Sequence, residues 1–409
     1  MRAFISRCLV AAALAASLSP ATAVSAQTGA AGQRQGNYQT DTAQSFLYTV
    51  TNPAGENAVA AFARDRSTGQ IRAIGRYPTG GRGDPTVAAV SQHAIVSQGY
   101  YLYAVNPGSA DISAFAVQQD GSLRLLAVVP SGGKAPVSLA LHGDLLYVAN
   151  FGGSPAAPAA EQLPANYRGF RIQPGGTPVP LPGSTVELER GDAPSDIVFN
   201  PHGCLLVGTR AGGGVIDSFW VAPSGLLVRV DLLRDQPGAF GAAFNPLRPW
   251  QLFADYAALG PGALQGAVAS FQVDGSGRLT RTGVLEDPSL LAPCWLVLTP
   301  DGKLLWVSSA ISRALTLFSV GSDGRLTLVS ALAAAEGPAS LDIALAGDAR
   351  YLYQLRAVSL PPGQPVVPHI RVFRVTGGSS DAGLALVQDL TLPEDLAAAG
   401  VTGLTLVER

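Results

Sequence analysis

The sequence predicts an all-β fold: a seven-bladed β-propeller of four-stranded blades, with the ring closed by the C-terminal strand pairing into the first blade. Three observations carry this prediction. A strand-like unit recurs seven times at intervals of about 50 residues, which is the length of a propeller blade. The 409 residues include 47 glycines and 30 prolines, enough for many tight turns, and only 14% are charged. The last segment of the chain resembles an inner strand that the first repeat lacks.

Each repeat is marked by a phenylalanine in a strand-like unit such as ISAFAV or IDSFWV. The spacings between these phenylalanines are 53, 55, 49, 52, 47 and 55 residues. The seven marker residues are Phe62, Phe115, Phe170, Phe219, Phe271, Phe318 and Phe373. An apolar strand such as LLYVAN precedes each marker, and most are preceded in turn by a strand introduced by proline or glycine, such as APSDIVF. A glycine-led turn after the marker, such as Asp120-Gly121-Ser122, opens a fourth strand. Four strands per repeat define a propeller blade.

The first repeat has no recognisable inner strand before Phe46. The chain ends with VTGLTLV, Val401 to Val407, which resembles the inner strand around Leu341. Because a closed ring leaves no sheet with an unpaired edge, this segment is predicted to complete blade one. Three long connections between second and third strands project from the face where inner strands begin, and we expect the functional site on that face: residues 151–166, 256–266 and 356–368.

The N-terminal segment predicts export. Residues 1–26 resemble a signal peptide, since Arg2 and Arg7 precede a short apolar run that ends in small residues. Residues 27–39 are rich in glycine and glutamine and predict a flexible leader. Residues 40–409 are then a single propeller domain, and the protein is expected to be secreted or periplasmic.

Two cysteines, Cys204 and Cys294, would remain in the mature chain. In an oxidising compartment they could form a disulfide. Each, however, lies in an apolar strand of a non-neighbouring repeat, where free buried cysteine is common. We therefore expect no disulfide between them.

Charge and motif content exclude several classes of protein. A net charge of −2 offers no basic surface for nucleic acid or anionic membranes, and no later segment is long and apolar enough to span a bilayer. The HExxH, CxxC, EF-hand, GxxxxGK and GxSxG motifs are absent from the sequence. The sequence predicts no metal and no cofactor. We expect a monomer acting on a small-molecule substrate.

The segments LHGDLLYVAN, APSDIVFNPHG, APCWLVLTPDGKLLWVSS and DGRLTLVSAL resemble the repeats of the seven-bladed propeller lactonases. This family includes 6-phosphogluconolactonase-type and carboxymuconate-cyclising enzymes, and the chain is most similar to its secreted bacterial branch. The resemblance covers nearly all of the mature chain. It implies the propeller fold and the opening of a lactone, or a related cyclic ester, by water attack in the central channel. Where the family has a Pro-His-x-His-like segment, this chain reads Pro194-Ser195-Asp196-Ile197, without histidine.

Lactone hydrolysis requires a group that activates water, together with cations or donors where negative charge develops. Four residues at inner-strand starts and second-strand ends are candidates for these catalytic roles: Asp196, Arg210, Asp255 and Asp342. Four residues with similar placement are candidates for substrate binding: Asn150, Tyr256, Trp295 and Arg356. The alternative for an Asp–Arg pair in a channel is a purely structural role. For Asn150, at a strand end, the alternative is a turn-forming role.

The four histidines are weaker candidates than these residues. His142 and His202 lie in turns, and His93 lies ahead of the second strand of blade two. Only His369 follows a loop on the expected functional face. A structural role is the more common one for histidines in such positions.

The favoured hypothesis is an exported, lactonase-like hydrolase of carboxylic esters. One alternative is a non-catalytic binding propeller of the periplasm or extracellular space, since the fold often serves as a rigid platform. A second alternative is a lyase or isomerase acting on an unsaturated carboxylic acid, which only the muconate-cyclising relatives suggest.

Overall fold

The computed structural model describes residues 44–155, 157–158, 161–257, 265–332, 336–359, 366–378, 381–396 and 400–409. Within them the chain forms seven antiparallel sheets. The inner strands of these sheets contact one another in cyclic order, so the sheets are the blades of a closed ring. The predicted signal peptide and leader lie outside the described residues, and their assignment stays a prediction.

Blade three carries five strands and every other blade carries four. Strands are numbered in chain order. The strands of blades one to three are β1 Ser45–Val50, β2 Glu56–Arg64, β3 Ile71–Arg82, β4 Ile95–Gln98, β5 Tyr101–Asn106, β6 Asp111–Val117, β7 Leu123–Pro130, β8 Pro136–His142, β9 Leu145–Asn150, β10 Asn166–Ile172, β11 Pro178–Pro180 and β12 Val186–Glu187.

The strands of blades four to seven follow the same plan of inner, second, third and outer strand. They are β13 Pro194–Phe199, β14 Leu205–Arg210, β15 Val215–Val221, β16 Leu227–Leu233, β17 Ala239–Phe244, β18 Gln251–Tyr256, β19 Gln265–Val273, β20 Leu279–Leu291, β21 Pro293–Leu298, β22 Leu304–Ser309, β23 Leu315–Val320, β24 Leu326–Leu332, β25 Ala339–Leu345, β26 Tyr351–Val358, β27 His369–Thr376 and β28 Gly383–Thr391. The last strand is β29 Thr402–Glu408. Two short 3₁₀ helices span Pro85–Val90 and Glu394–Leu396.

The last strand of the chain closes the ring, as the sequence predicts. β29 pairs antiparallel with β1 along its length, from Ser45 opposite Glu408 to Val50 opposite Thr402. Blade one therefore has the order β29-β1-β2-β3. Every inner strand of the ring is paired with a second strand, and no blade lacks its inner edge.

The marker phenylalanines are core residues of the third strands. All seven are at most 3% exposed, and each pairs with an apolar residue of the neighbouring second strand, as Phe219 does with Leu206. The glycine-led turns are also confirmed. Gly121, Gly277 and Gly324 all adopt positive φ, which glycine tolerates without steric cost. Burial of one large apolar residue per blade explains why the repeat is visible in the sequence.

Cys294 is a free, buried thiol. It is therefore not bonded to Cys204, as expected from their positions in separate blades. Burial raises the pKa of the Cys294 thiol well above its ordinary value, which favours the neutral thiol over the nucleophilic thiolate.

The ring has two faces, which are defined by the direction of the inner strands. We call the face where inner strands begin the upper face and the face where they end the lower face. The three long connections predicted on the upper face run between second and third strands, although residues 258–264 and 360–365 lie outside the described residues. The segment that leads from blade one to blade two also lies on the upper face, and it packs over the centre of the ring.

Candidate functional site

Residues 85–92 form a plug across the upper end of the central channel. Val87 and Ala88 are fully buried. Val87 belongs to an apolar cluster with residues of blades three and four, whereas Ala88 belongs to a cluster that includes Phe240 of blade five and Trp295 of blade six. A short segment that packs with residues of blades three to six lies over the centre of the ring. The helix begins at an Asp84 cap, whose carboxylate accepts from Thr86 N.

Hydrogen bonds attach the end of the plug to three blades. The Ser91 hydroxyl donates to the Val137 carbonyl of blade three. Gln92 N donates to Ser195 O in blade four at 3.3 Å. Trp295 Nε1 of blade six donates to Ser91 O at 2.8 Å. Each of these groups is buried, so the bonds replace water at the centre of the ring.

Below the plug lies a cavity of about 520 Å³, which we call the central well. Its lining reaches from His93 and Asp342, next to the plug, to Pro201 and Gly347 in turns of the lower face. The volume is in the range of small-molecule pockets. We expected the site on the upper face, but the plug covers the upper end of the axis and the cavity extends toward the lower face.

His93 lies at the inner end of the well and bonds to an acid of another blade. Its Nδ1 is 2.8 Å from Asp196 Oδ1, and Ser138 Oγ donates to the same oxygen at 2.9 Å. The other oxygen, Asp196 Oδ2, accepts from Ala242 N at 3.1 Å. Asp196 is fully buried, while 36% of the His93 side chain stays exposed. Because the plug covers the upper end, this exposed part faces the well.

His93 carries a positive charge at neutral pH. Burial acts to lower its pKa, but the Asp196 carboxylate, with help from Asp342, outweighs burial and raises the pKa to about 9. The residue also has a positive φ of 57°, a conformation that is uncommon outside glycine, although histidine adopts it more often than most residues. This backbone conformation lies at the step from the plug into the inner strand of blade two.

Asp342 provides a carboxyl group that titrates near neutral pH. It is 4% exposed and accepts from Ile343 N at 2.8 Å and from Leu404 N at 3.0 Å. Burial raises the pKa of Asp342 to about 7, although the His93 cation and both N–H donors act to lower it. The well therefore combines an imidazolium with a carboxyl group that can take or give a proton at physiological pH.

Within the described part of the chain, Asp255 and Gln92 each place a buried oxygen without a hydrogen-bond partner next to Gly241. Asp255 Oδ1 accepts from Gly241 N at 2.8 Å. The buried oxygens Asp255 Oδ2 and Gln92 Oε1 have no hydrogen-bond partner among the described residues, and both lie within 3.0 Å of where a Cβ at Gly241 would be. Burial, together with Asp196, raises the pKa of Asp255 well above its ordinary value. A protonated Asp255 can donate to Gln92 and so satisfy both oxygens.

The structure brings four of the eight sequence candidates to the centre of the ring. Asp196, Asp255 and Asp342 influence one another electrostatically. Trp295 lies beside them but is fully buried, with its ring edge-on to Phe240 at a centroid distance of 5.5 Å. Trp295 therefore supports the plug and does not form a wall of the well.

Arg210 lies outside the well, in an ion-pair network between β14 and β15. Its Nη1 donates to Asp192 Oδ2 at 2.5 Å and its Nη2 to Asp217 Oδ1 at 3.0 Å. Arg229 also donates to Asp217. Burial acts to lower the pKa of Arg210, but Asp217 and the other neighbours raise it overall. Both of its acidic partners are thus committed within blade four.

Asn150, Tyr256 and Arg356 also lie outside the well. Asn150 Nδ2 donates to Asn166 Oδ1 at 2.9 Å, a bond between opposite residues of the second and third strands. The Tyr256 hydroxyl donates to Gln236 Oε1. Arg356 binds backbone carbonyls next to β25. A substrate-binding role for these residues stays a prediction without support from the geometry of the well.

From the sequence, a structural role was expected for His93, and Gln92 was not singled out. Their segment, SQHAIVSQ, lacks the leading proline or glycine that marks the other inner strands, so the inner strand of blade two was not recognised. Val96 pairs with Tyr103 in blade two in the same way as Ala140 pairs with Tyr147 in blade three. His93, three residues before Val96, therefore lies at the start of an inner strand. His369 instead contacts Asp389 at 2.9 Å on the third and outer strands of blade seven.

The described residues contain neither a metal-binding cluster nor a membrane-spanning helix. No group of three or more histidine, cysteine, aspartate or glutamate side chains is arranged to hold a metal ion within the part of the chain that the structure describes. Across the same residues, no helix has the length and apolarity needed to cross a membrane.

The fold and the axial site define a seven-bladed propeller with a polar centre beneath a plug. Among solved structures, the chain is similar to a "putative 6-phosphogluconolactonase" from Bacteroides uniformis, with a TM-score of 0.69 and 20% identity over 89% of this chain and 99% of that one. It is also similar to the periplasmic gluconolactonase of Pseudomonas aeruginosa, with a TM-score of 0.65 and 18% identity over 89% and 99%. A hypothetical selenium-binding protein from Sulfolobus tokodaii gives a TM-score of 0.67 at 11% identity over 90% and 94%. No family model and no curated protein matches the sequence. These similarities establish the fold.

Proposed function

We propose that the protein is an exported hydrolase that opens a lactone or related cyclic ester in the central well. The observation that carries this proposal is the presence of the His93 imidazolium and the Asp342 carboxyl group at the inner end of one cavity. Lactone opening needs a base that takes a proton from water and a cation where the oxyanion develops. These two side chains supply both.

Asp342 is assigned the role of general base. With its pKa raised to about 7 by burial, its ionised form takes a proton from a water molecule as the water oxygen attacks the ester carbonyl. The bond between the carbonyl carbon and the ring oxygen then breaks, and the ring oxygen takes a proton. The product is the open-chain hydroxy acid.

His93 is assigned the role of general acid and oxyanion partner. Its Nδ1 is held by Asp196, so Nε2 is the nitrogen left to face the well and to donate a proton to the ring oxygen. Asp196 is a positioning residue, since it fixes the His93 ring and favours its charged form. Asp255 and Trp295 stabilise the plug, and Arg210 stabilises blade four.

Two further observations agree with this assignment. Solved structures of similar fold include a periplasmic gluconolactonase and a "putative 6-phosphogluconolactonase". The sequence of residues 1–26 predicts export, which an N-terminal sequence of the secreted protein beginning at Gln27 would establish. A secreted protein that retains residues 1–26 would contradict the export part of the proposal.

The test is whether the purified protein hydrolyses the members of a lactone panel. Hydrolysis is measured as the release of acid at constant pH. The panel contains glucono-δ-lactone, a γ-butyrolactone and an aromatic δ-lactone. His93→Gln and Asp342→Asn should each lower kcat/KM by a factor of about 10²–10⁴. His369→Gln is the matched control, because it removes a histidine bonded to an aspartate at nearly the same distance but outside the well.

Each outcome bears on the proposal. Loss of activity in the two well variants, with the control unchanged and all variants folded by circular dichroism, supports it. No turnover of any lactone, or equal activity in all variants, contradicts it. Saturable lactone binding without turnover would instead favour the non-catalytic binding propeller. An unsaturated acid product formed without uptake of water would favour the lyase alternative.

A further inference from the structure

Blades four and seven place an arginine at the same position of the repeat. In blade four, Leu206 pairs with the marker Phe219, and Arg210 follows four residues later. In blade seven, Leu352 pairs with the marker Phe373, and Arg356 follows four residues later. The two guanidinium groups are therefore equivalent in the fold, and both are buried, at 4% and 1% exposure.

The partners of the two arginines differ. Arg210 binds the carboxylates of Asp192 and Asp217. Asp217 lies two residues before the marker of blade four, and the equivalent residue of blade seven is Arg371. A cation thus replaces the acid that neutralises the arginine in blade four.

Arg356 makes hydrogen bonds only to backbone carbonyls among the described residues. Its Nε donates to Pro338 O at 2.9 Å, and its Nη2 donates to Glu336 O at 2.8 Å and to Pro338 O at 2.6 Å. No carboxylate lies within salt-bridge distance of Arg356 in the part of the chain that the structure describes. Its Nη1 donates no hydrogen bond there. A buried cation without a counter-charge is energetically unfavourable.

Two further cations lie next to this guanidinium. Arg313 Nε donates to Gly337 O at 2.9 Å, on the same turn that Arg356 binds. Burial lowers the pKa of Arg356 to about 10, and both Arg371 and Arg313 contribute to the lowering. The one acid that opposes this effect is Asp389, which already accepts from Arg371 Nε at 2.9 Å. Asp389 thus acts on both Arg356 and Arg371 and also contacts His369.

We propose that Arg356, Arg313 and Arg371 form an oxyanion-binding site on the upper face between blades six and seven, for a carboxylate or phosphate group. Nη1 of Arg356 and the guanidinium of Arg313 supply the charged donors, which is the chemistry that recognises such groups. The site is separate from the central well, which the plug covers on this face. It does not depend on the proposed lactone hydrolysis.

The test is isothermal titration of the purified protein with inorganic phosphate and, separately, with succinate at constant ionic strength. Wild type should bind one of the two saturably. Arg356→Gln and Arg313→Gln should each weaken that binding at least tenfold. The preferred anion then identifies whether the natural ligand carries phosphate or carboxylate.

Two control variants keep the test specific. Arg325→Gln removes an exposed arginine of the lower face (78% exposed side chain) and should leave binding unchanged. His93→Gln should also leave it unchanged, which separates this site from the cation of the well. If Arg356→Gln does not fold, Arg313→Gln still decides, since its side chain is only half-buried. Absence of saturable binding in wild type, or unchanged affinity in Arg313→Gln, overturns the proposal.

Discussion

Blades four and seven bury the same arginine of the repeat, yet only blade four neutralises it. Arg210 has two carboxylates, whereas Arg356 has three bonds to backbone carbonyls and cationic neighbours. In blade four the charge of Arg210 is neutralised within the blade, so these groups are unavailable to a ligand. In blade seven the charge of Arg356 is neutralised only when an anion binds. In a repeat fold, a position that departs from its equivalents is therefore better evidence for binding than the residue type itself.

The inner strands show the same contrast. Asp196 and Asp342 each precede an isoleucine, Ile197 or Ile343, that pairs with an equivalent residue of the second strand. Asp196 is bonded to His93 and Ser138. Asp342 accepts only backbone N–H groups. Burial raises the pKa of Asp342 to about 7.

The largest effect is expected from removing the acid that distinguishes blade four. Asp217→Ala leaves Arg210 and Arg229 without their shared partner and should lower the free energy of unfolding by about 3–5 kcal/mol. Urea denaturation would measure it. Asp144→Ala, which removes the exposed partner of Arg171, is the matched control and should cost less than about 1 kcal/mol. Equal effects of the two substitutions would show that the buried ion pairs of blade four contribute no more to the free energy of unfolding than an exposed pair does.

The pH dependence of hydrolysis should reflect the two groups of the well. The base form of Asp342 is lost below a pKa of about 7, and the acid form of His93 is lost above a pKa of about 9. We therefore expect kcat/KM to be maximal between pH 7 and 9 and to fall about tenfold per unit outside that window. His93→Gln should remove the alkaline limb from whatever activity remains. A profile that rises continuously above pH 9 would contradict the assignment of His93.

A carboxylate in blade seven, at the position where blade four has Asp217, should abolish anion binding at Arg356. Arg371→Asp places a carboxylate at the position equivalent to Asp217. Wild type should gain about 1.4 kcal/mol of stability at an anion concentration ten times the Kd, and the variant should gain none. Thermal unfolding with and without phosphate or succinate measures the difference. A variant that is still stabilised by the anion would show that the two blades are not equivalent.

The smallest effect is expected at Asp255. Asp255→Asn keeps the acceptor for Gly241 N and supplies an amide donor toward Gln92, so it should change stability by less than about 1 kcal/mol, whereas Asp255→Ala should cost about 1–3 kcal/mol. Because burial raises the pKa of Asp255 in the folded state, the folded protein holds a proton that the unfolded chain releases. Wild-type stability should then fall as pH rises above about 4, the ordinary pKa of an aspartate, while the Asn variant lacks this contribution. Parallel stability curves for wild type and Asp255→Asn would contradict a protonated Asp255.

The sequence alone was sufficient for the fold because its signals are local and repeated. The marker phenylalanines, the glycine turns and the C-terminal strand each depend on burial or backbone conformation within one blade. The residues of the central well could be predicted only in part. Asp196 and Asp342 were found because inner-strand starts point to the axis, but their partner His93 comes from a segment that crosses between blades and follows no repeat.

The ion pairing of Arg210 in blade four has a signal in the sequence. Arg210 pairs with Val215 across a tight connection, which puts Asp217 two residues along the same strand and on the same side of the sheet. Alternation within that hairpin predicts an ion pair. The plug carries no such signal, since its burial depends on contacts with blades more than 40 residues away, as in the bond from Ser91 to Val137.

The closure of the ring also has a mechanical consequence. Gln44 and Arg409 lie side by side, joined by a backbone hydrogen bond of 2.9 Å, at one end of the antiparallel pair of β1 and β29. A force that pulled these two residues apart would act along the hydrogen bonds and load them one after another. The ring should therefore peel open from this point under low tension, although the same ladder holds the first blade together when no force is applied.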